Sequence, residues 1–320
     1  MAMPWTERDV PDQSGRTVII TGANSGLGFE TARVFARRNA EVVLACRDLG
    51  KAGLAADRIR AESPTASVRT LELDLASQAS VRRAAAQVNQ DHPKVDLLIN
   101  NAGAVFSHHQ LTEDGLEKTL ATNHLGPFAF TGLILERLLA VAGSRVVTVS
   151  SNGHKFATMQ FDDLQSANGS RGRIGAWAGQ RAYFQAKLAN LLFSYELQRR
   201  LVAAGAATIA VAAHPGNART AFGGDQLPIR IFTSARLRRL TSWLLQDAEP
   251  AALPTLRAAV DPAATGGEYY GPDGRNEWIG HPVQVRSAPA SYDTDAQRRL
   301  WELSIELTQV SYPLVGIPAS

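Results

Sequence analysis

The chain has 320 residues, 45% hydrophobic and 20% charged, which is typical of a soluble globular protein with one large domain or two smaller ones. The formal net charge is +3, and because Lys and Arg are spread along the chain we do not predict nucleic-acid binding. The single cysteine, Cys46, excludes an internal disulfide framework and a cysteine-based zinc site, and the lack of any run of about 18 apolar residues argues against a membrane-spanning helix.

Strand-like runs rich in Val, Ile and Leu alternate with helical patterns along the chain. The predicted strands are 17–21, 41–47, 68–74, 95–100, 144–151, 207–214 and 268–271. The predicted helices are 26–38, 49–62, 78–90, segments within 113–140, a helix around Tyr183, 232–245, 248–259 and 293–308. Such apolar runs indicate strands that are buried on both faces. We therefore predict one α/β domain over 1–320, with a doubly wound parallel sheet of about seven strands flanked by helices.

A glycine-rich turn follows the first predicted strand, where Thr21 to Gly28 reads TGANSGLG. Small residues let the backbone turn tightly and approach a pyrophosphate, and the next helix offers its N-terminal N–H groups and the positive end of its dipole. The position of the turn between a strand and a helix predicts a dinucleotide site. No Gly-Lys-Ser/Thr follows, which argues against a Walker-type phosphate loop.

The end of the second strand indicates which dinucleotide binds. In an NAD site an acidic residue at this place binds the ribose hydroxyls, but here the chain has Cys46 and then Arg47. A guanidinium pairs well with a ribose 2′-phosphate, whereas Asp48 comes too late and is better placed to cap the next helix. We predict NADP(H) in preference to NAD(H). The alternative is that Arg47 only lies on the surface, and Cys46 is expected to be a packing residue.

The predicted helix GQRAYFQAKLANLLFSYELQRRL carries Tyr183 and Lys187. Positions i and i+4 share one face of a helix, so these two side chains can reach one point in space. Taken alone, the pair is also explained by a solvated lysine beside a tyrosine that packs its ring.

A series of short motifs occurs in a fixed order along the chain. They are TGANSGLG (21–28), DL (74–75), NNAG (100–103), TNHLG (122–126), VSS (149–151), YFQAK (183–187) and HPGNART (214–220). In this order they resemble the short-chain dehydrogenase/reductase family over about residues 15–220, and the ACRD strand end is most similar to its retinol-dehydrogenase-like and protochlorophyllide-reductase-like branch. The resemblance implies a single Rossmann domain with a substrate lid at about 217–247 and a C-terminal extension at about 272–320.

The resemblance also implies a proton relay. Tyr183 would be the general acid for carbonyl reduction and the base for alcohol oxidation, with its pKa lowered from about 10 by the Lys187 ammonium. Ser151, in preference to Ser150, would hold the substrate oxygen. Asn123 would hold a water that links Lys187 to solvent, with the alternative that it only satisfies the helix backbone. The hydride comes from the cofactor.

Cofactor and substrate contacts follow from the same resemblance. The implied cofactor contacts are Gly22, Asn24, Ser25, Gly26, Leu27, Gly28, Arg47, Asp74, Leu75, Asn101, Ala102, Gly103, Tyr183, Lys187, Pro215, Gly216 and Thr220. Asp74 and Thr220 have helix capping as their alternative role. His154, Asn217 and Phe222 are expected to line the substrate pocket, and we predict no metal site.

The expected function is that of a cytoplasmic NADP(H)-dependent oxidoreductase, most simply a ketone or aldehyde reductase, with a role in secondary metabolism as one hypothesis. The alternatives are an alcohol dehydrogenase working in the oxidative direction and a non-catalytic NADP sensor that binds a partner protein. The expected partner is a small carbonyl or alcohol substrate, and relatives often pair as homodimers or homotetramers through the helices that flank the tyrosine. The segment 232–245 is expected to be a lid, with a membrane-surface helix as its alternative.

Overall fold

A sheet of eight strands organises the described part of the chain, in the order β3-β2-β1-β4-β5-β6-β7-β8. The computed structural model describes residues 3–165, 175–218 and 245–314, with only the backbone for 175–178. The strands are β1 (Thr17–Thr21), β2 (Glu41–Cys46), β3 (Ser67–Glu72), β4 (Leu97–Asn100), β5 (Arg145–Val149), β6 (Ile209–Ala213), β7 (Tyr269–Pro272) and β8 (Pro282–Gln284). The first seven pair in parallel, which confirms the predicted doubly wound sheet.

The eighth strand is an addition to the predicted sheet. Strand β8 pairs antiparallel with β7, and it has only three residues, Pro282–Gln284. So short a strand leaves no alternating or continuous apolar run that the sequence could show.

The helices lie where the sequence pattern predicts them, with boundaries that differ by a few residues. They are α1 (Gly26–Arg37), α2 (Leu49–Glu62), α3 (Gln78–Asp91), α4 (Lys118–Leu120), α5 (Gly126–Leu139), α6 (Gly175–Ala203), α7 (Ala248–Val260) and α8 (Thr294–Thr308). A π-helical turn, Ala121–Leu125, joins α4 to α5. The predicted helix 232–245 and most of the predicted lid lie outside the described residues.

The hydrophobic core occupies both faces of the sheet. Neighbouring residues of β1 point to opposite faces: Ile19 packs with the side chains of α3, α5 and α6, while Ile20 packs with those of α1, α2 and α7. Both side chains are fully buried. Because the strand order reverses between β1 and β4, a crevice opens at the carboxyl ends of these strands, and this is where open α/β sheets bind their ligands.

Helix α8 packs against α5 and α6 through an aromatic cluster formed by Phe128, Phe193, Trp301 and Tyr312. The Trp301 ring centroid lies 4.4 Å from that of Tyr312 and 5.2 Å from that of Phe128. The Tyr312 hydroxyl donates to the main-chain oxygen of Phe128 at 2.7 Å. The C-terminal helix therefore covers part of α5 and of α6, the helix that carries Tyr183.

Among residues 3–165, 175–218 and 245–314, no helix combines the length and the apolar character needed to cross a membrane.

The aromatic cluster should make α8 part of the cooperative fold. We expect Trp301→Ala to lower the free energy of unfolding by about 3–5 kcal/mol, because the substitution leaves a cavity among fully packed rings. Val202→Ala on α6 is the matched control, since this valine is 66% exposed and its truncation should cost less than about 0.5 kcal/mol. Urea denaturation measures both. Equal effects of the two substitutions would show that α8 is only loosely attached.

Candidate active site

The turn that carries the predicted catalytic serine begins where β5 ends. Ser150 and Ser151 follow Val149, and Ser151 caps a short 3-10 helix, Asn152–Phe156, by accepting the Gly153 N–H at 3.2 Å. Ser150 is buried, and its hydroxyl donates to the main-chain oxygen of Lys187 at 2.8 Å. Ser151 is half-buried, and its side chain is near enough to the Tyr183 phenol to act on its pKa and lower it. The structure therefore places Ser151, and not Ser150, beside the tyrosine, because successive residues point to opposite sides.

Helix α6 brings Tyr183 and Lys187 together beneath this turn. Both side chains are buried, and the Lys187 ammonium lies 5.6 Å from the centroid of the Tyr183 ring. The Nζ atom of Lys187 donates to the main-chain oxygen of Val149 at 3.0 Å. Burial lowers the pKa of Lys187 to about 8, since an ammonium loses its hydration in the interior. At neutral pH the lysine still carries its proton, so a cation stands next to the phenol.

The pKa of Tyr183 is shifted in the direction opposite to the one expected from the sequence. Burial raises this pKa above its ordinary value because a phenolate would lose its hydration, and the side chain of Ser151 opposes the rise. The sequence-based prediction considered only the charge of Lys187 and left out burial, which the residue pattern does not report. The protein therefore holds Tyr183 as a protonated phenol, which is the form that a general acid needs.

Asn123 lies in the π-helical turn and its side chain is fully buried. Its Nδ2 donates to the main-chain oxygens of Ala104 and Thr119, each at 2.8 Å, and its Oδ1 accepts the Ala104 N–H at 3.2 Å. The amide group thus ties the loop after β4 to the helix and satisfies backbone groups, as in the alternative role weighed above. The predicted water contact of this residue stays a prediction.

The glycine-rich turn has the tight packing that a dinucleotide site requires. Gly22 has a φ of +67°, and a Cβ there would lie 3.0 Å from Ala102. A Cβ on Gly28 would lie 2.5 Å from both the Asn101 amide nitrogen and the main-chain oxygen of Gly22. Ser25 precedes α1 and is exposed, and its side chain makes no capping hydrogen bond with the described residues. The hydroxyl and the first N–H groups of α1 are therefore placed to receive a phosphate, so the residues present fit a dinucleotide.

Thr21 joins this turn to the loop after β4. Its hydroxyl accepts the N–H groups of Asn101 and Ala102 at 3.0 and 2.9 Å, and the Asn101 side chain donates to the main-chain oxygen of Thr21 at 2.8 Å. Gly103 follows in the same loop. No role for Thr21 was predicted, although its place at the start of the TGANSGLG motif was a signal for one.

The end of β2 has the predicted arrangement. Arg47 is exposed, as both of its interpretations require. Cys46 is buried, and burial raises the pKa of its thiol to about 11, so it packs as a neutral group. Asp48 caps α2 by accepting the Lys51 N–H at 3.0 Å, which confirms its predicted role.

The end of β3 is followed by Asp74 and Leu75. Asp74 accepts the N–H of Ala76 at 2.9 Å, while α3 is capped by Ser77, so Asp74 does not cap that helix. Leu75 is buried. The predicted contacts of Asp74 and Leu75 with adenine stay predictions.

The structure places His154 in the core. Its ring is fully buried, its Nδ1 bonds the main-chain oxygen of Ser151 at 2.6 Å, and its Nε2 accepts the Ala288 N–H at 3.0 Å. Burial lowers its pKa to about 4, so the ring is neutral. With both nitrogens bound to the main chain, His154 supports the turn that begins at Ser151, and its expected place in the substrate pocket stays a prediction.

The loop after β6 contains Pro215, Gly216 and Asn217. Gly216 has a φ of +66°, and a Cβ there would lie 2.3 Å from the main-chain oxygen of Trp278. The Asn217 N–H donates to that same oxygen at 2.7 Å, and its own main-chain oxygen accepts the Gln246 N–H. Thr220 and Phe222 lie outside the described residues. In the part of the chain that the structure describes, no three His, Cys, Asp or Glu side chains are grouped to hold a metal ion.

Comparisons with known proteins identify the family. The family model described as short chain dehydrogenase matches residues 16–161. The chain is 39% identical to human retinol dehydrogenase 13 over 304 residues, which cover 94% of this chain and 87% of that protein. It is 37% identical to human retinol dehydrogenase 12 over 303 residues, covering 93% and 88%. This chain belongs to the short-chain dehydrogenase/reductase family. Within this family of oxidoreductases it belongs to the retinol-dehydrogenase-like branch, as the sequence motifs predicted.

Solved structures of the family match the fold described above. The crystal structure of an uncharacterised protein from Mycobacterium paratuberculosis has a TM-score of 0.78 at 39% identity, covering 98% of this chain and all of that one. A structure from Beutenbergia cavernae, described as an NAD(P)-dependent gluconate 5-dehydrogenase with bound NADP, has a TM-score of 0.61 at 25% identity, covering 81% and 95%.

The buried charge of Lys187 should make the fold less stable than it would be without that charge. The pKa of Lys187 in the folded protein is about 8, below the ordinary 10.5. The loss of folding stability caused by its charge is therefore fully present below pH 8 and disappears as the pH rises to 10.5. We expect Lys187→Met to raise the free energy of unfolding at pH 7 by about 1–3 kcal/mol. Asn190 also donates to the Val149 oxygen, at 3.2 Å, so that acceptor keeps a partner.

The measurement is urea denaturation at pH 7, 8.5 and 10.5, with the exposed Lys94→Met as control. The gain from Lys187→Met should shrink across this range, and the control should show none. A loss of stability at pH 7 in Lys187→Met would contradict the account.

Proposed function

We propose that this protein is an NADP(H)-dependent oxidoreductase that transfers a hydride between nicotinamide and a carbonyl or alcohol substrate, and that it acts most simply as a ketone or aldehyde reductase. The observation that carries the proposal is the meeting of Ser151, Tyr183 and Lys187 at the carboxyl end of β5, in the sheet whose first strand ends in the glycine-rich turn. A cytoplasmic location remains part of the proposal, as does the reductive direction.

The three side chains divide the acid–base work between them. A substrate oxygen placed against the hydroxyls of Ser151 and Tyr183 would accept two hydrogen bonds, which stabilise the negative charge that develops on it. Tyr183 then donates its proton to that oxygen. The Lys187 ammonium favours the resulting phenolate and, with a pKa of about 8, is itself able to pass on a proton near neutral pH. The nicotinamide, when bound, supplies the hydride.

Several parts of the crevice support NADP(H) as the cofactor. The turn from Gly22 to Gly28 would hold the pyrophosphate, and the exposed Arg47 would pair with the 2′-phosphate. The loop 101–103 would line the adenosine side, while Pro215 and Gly216 would face the nicotinamide half. The structure from Beutenbergia cavernae with bound NADP is consistent with this preference.

A cavity of about 160 Å³ lies next to the first turns of α6, and its described lining does not include Ser151, Tyr183 or Lys187. The described residues that line it come from the loop after β4, the segment after the turn that begins at Ser151, and the first turns of α6. Phe106, Phe156, Ala157 and Ala182 give it apolar walls, and Gln160 and Gln185 are among its polar groups. Because two relatives are named for retinol, retinal belongs in any substrate panel.

Removal of one hydroxyl tests the acid–base assignment. We expect Tyr183→Phe to lower kcat for NADPH-dependent reduction by about 10²-fold or more, because the general acid is lost. Tyr195→Phe is the matched control on the same helix: its hydroxyl bonds Ser287 at 2.7 Å, so kcat should change less than about threefold. The assay follows NADPH consumption with a panel of ketones and aldehydes. Tight NADPH binding without turnover in the wild type would favour the sensor hypothesis instead.

Cofactor preference depends on Arg47 in this proposal. Arg47→Ala should raise the Kd of NADPH about 10- to 100-fold, because a charge-assisted hydrogen bond to the 2′-phosphate is lost. The Kd of NADH, which has no such phosphate, should stay within about twofold. Lys94→Ala removes an exposed cation elsewhere and should change neither constant. Fluorescence titration measures these constants, and equal weakening of NADPH and NADH by Arg47→Ala would refute the assignment.

A further inference from the structure

The carboxylate of Glu277, in the C-terminal extension, joins two loops of the site. Its Oε2 accepts from Nε2 of His214 at 3.0 Å, and its Oε1 lies 2.8 Å from Nζ of Lys155. The main-chain oxygen of the same residue accepts from the side chain of Asn152 at 2.9 Å. Burial works to raise the pKa of Glu277, but the hydrogen bonds from His214 and Lys155 outweigh it and lower that pKa to about 2. Glu277 is therefore ionised at neutral pH.

The partners of Glu277 belong to the two loops on which the proposed reaction depends. Asn152 and Lys155 lie in the turn that Ser151 begins. His214 follows β6, and its Nδ1 accepts the Gly216 N–H at 3.2 Å. Since Nδ1 accepts, the hydrogen of this ring is on Nε2 and points to Glu277. One carboxylate thus connects the turn with the catalytic serine to the loop with Pro215 and Gly216.

The backbone at Glu277 is held in an unusual conformation. Asn276 has a φ of 54° and a ψ of 21°, and Glu277 has a φ of 57°, so two consecutive non-glycine residues are left-handed. This region is unfavourable for a residue with a long side chain, and glycine adopts it without strain. The turn keeps this shape through the bond from the Glu277 N–H to the Gly274 oxygen at 2.8 Å. A glutamate at such a position indicates that its side chain is needed there.

We propose that Glu277 is a positioning residue, which fixes the Ser151 turn against the loop after β6 so that the catalytic hydroxyl and the nicotinamide-facing backbone keep one spacing. This inference rests on the proposed function, since it takes the roles of both loops from it. Glu277 acts through Lys155, Asn152 and His214 and does not touch the reacting atoms.

Two substitutions distinguish the role of the Glu277 side chain from that of its backbone conformation. Glu277→Gly removes the carboxylate but suits the left-handed backbone, so the protein should stay folded. With saturating cofactor, kcat should fall at least tenfold, while the KM for the carbonyl substrate should change less than threefold. Glu277→Gln keeps an acceptor for His214 but loses the ion pair with Lys155, so one of the two side-chain links remains and kcat should lie between that of Glu277→Gly and that of the wild type. Asp261→Asn is the matched control: it weakens the ion pair with Arg257 beside the amino end of β5, away from the carboxyl end where the site lies, and should leave kcat unchanged.

A binding measurement decides the inference even where no substrate is known. In Glu277→Gly the Kd of NADP⁺ should rise at least fivefold, while that of 2′-phospho-ADP-ribose, which lacks nicotinamide, should not change. Wild-type affinity for NADP⁺ in this variant would overturn the inference, as would a fall in kcat that Asp261→Asn reproduces. The proposed function fails separately, if the wild type binds NADP⁺ but reduces no carbonyl and oxidises no alcohol.

Discussion

The site depends on the hydrogen bond that holds the buried Lys187 ammonium beneath the carboxyl end of β5. A charge in the interior loses its hydration, and this loss is tolerated only where polar partners replace the water. Here the Val149 carbonyl accepts from Lys187 at 3.0 Å, and it is presented by the last residue of a strand at the centre of the sheet. The strand fixes the carbonyl, the carbonyl fixes the ammonium, and the ammonium lies beside the Tyr183 ring. This arrangement lowers the free energy of unfolding, and the hydrophobic core on both faces of the sheet offsets that loss.

The part of the chain beyond the family-model match completes this arrangement. That match ends at residue 161, whereas Tyr183 and Lys187 are on α6 and the loop after β6 comes later still. Helix α8 then packs on α6 through Trp301, and Glu277 contacts the turn that begins at Ser151. The relatives named for retinol align over most of this chain, so the likeness includes these later segments. The C-terminal extension is therefore part of the structure that holds the site and is not an appendage to it.

The sequence predicted those features that local patterns determine. Strand β1 and helix α2 have their predicted bounds because a strand buried on both faces is a continuous apolar run, and because Asp48 marks the start of the helix. The alternation of side chains required that only one of Ser150 and Ser151 face the site, and the family resemblance implied that it is Ser151. What could not be predicted depends on contacts between distant residues: the burial that raises the pKa of Tyr183, the partner of His154 at Ala288, and the pairing of Lys155 with Glu277. Such contacts exist only once the sheet has brought the segments together.

The most direct test of the account is an NMR titration of Lys187 itself. The chain has only five lysines, so the ¹³Cε signals of lysine-labelled protein are few, and Lys187→Met assigns the relevant one. The account predicts a titration midpoint near 8 for Lys187, because its ammonium is buried against a single strand carbonyl. A midpoint near the ordinary value of 10.5 would show that the ammonium remains hydrated, and it would contradict the proposal that a buried lysine prepares Tyr183 for proton transfer.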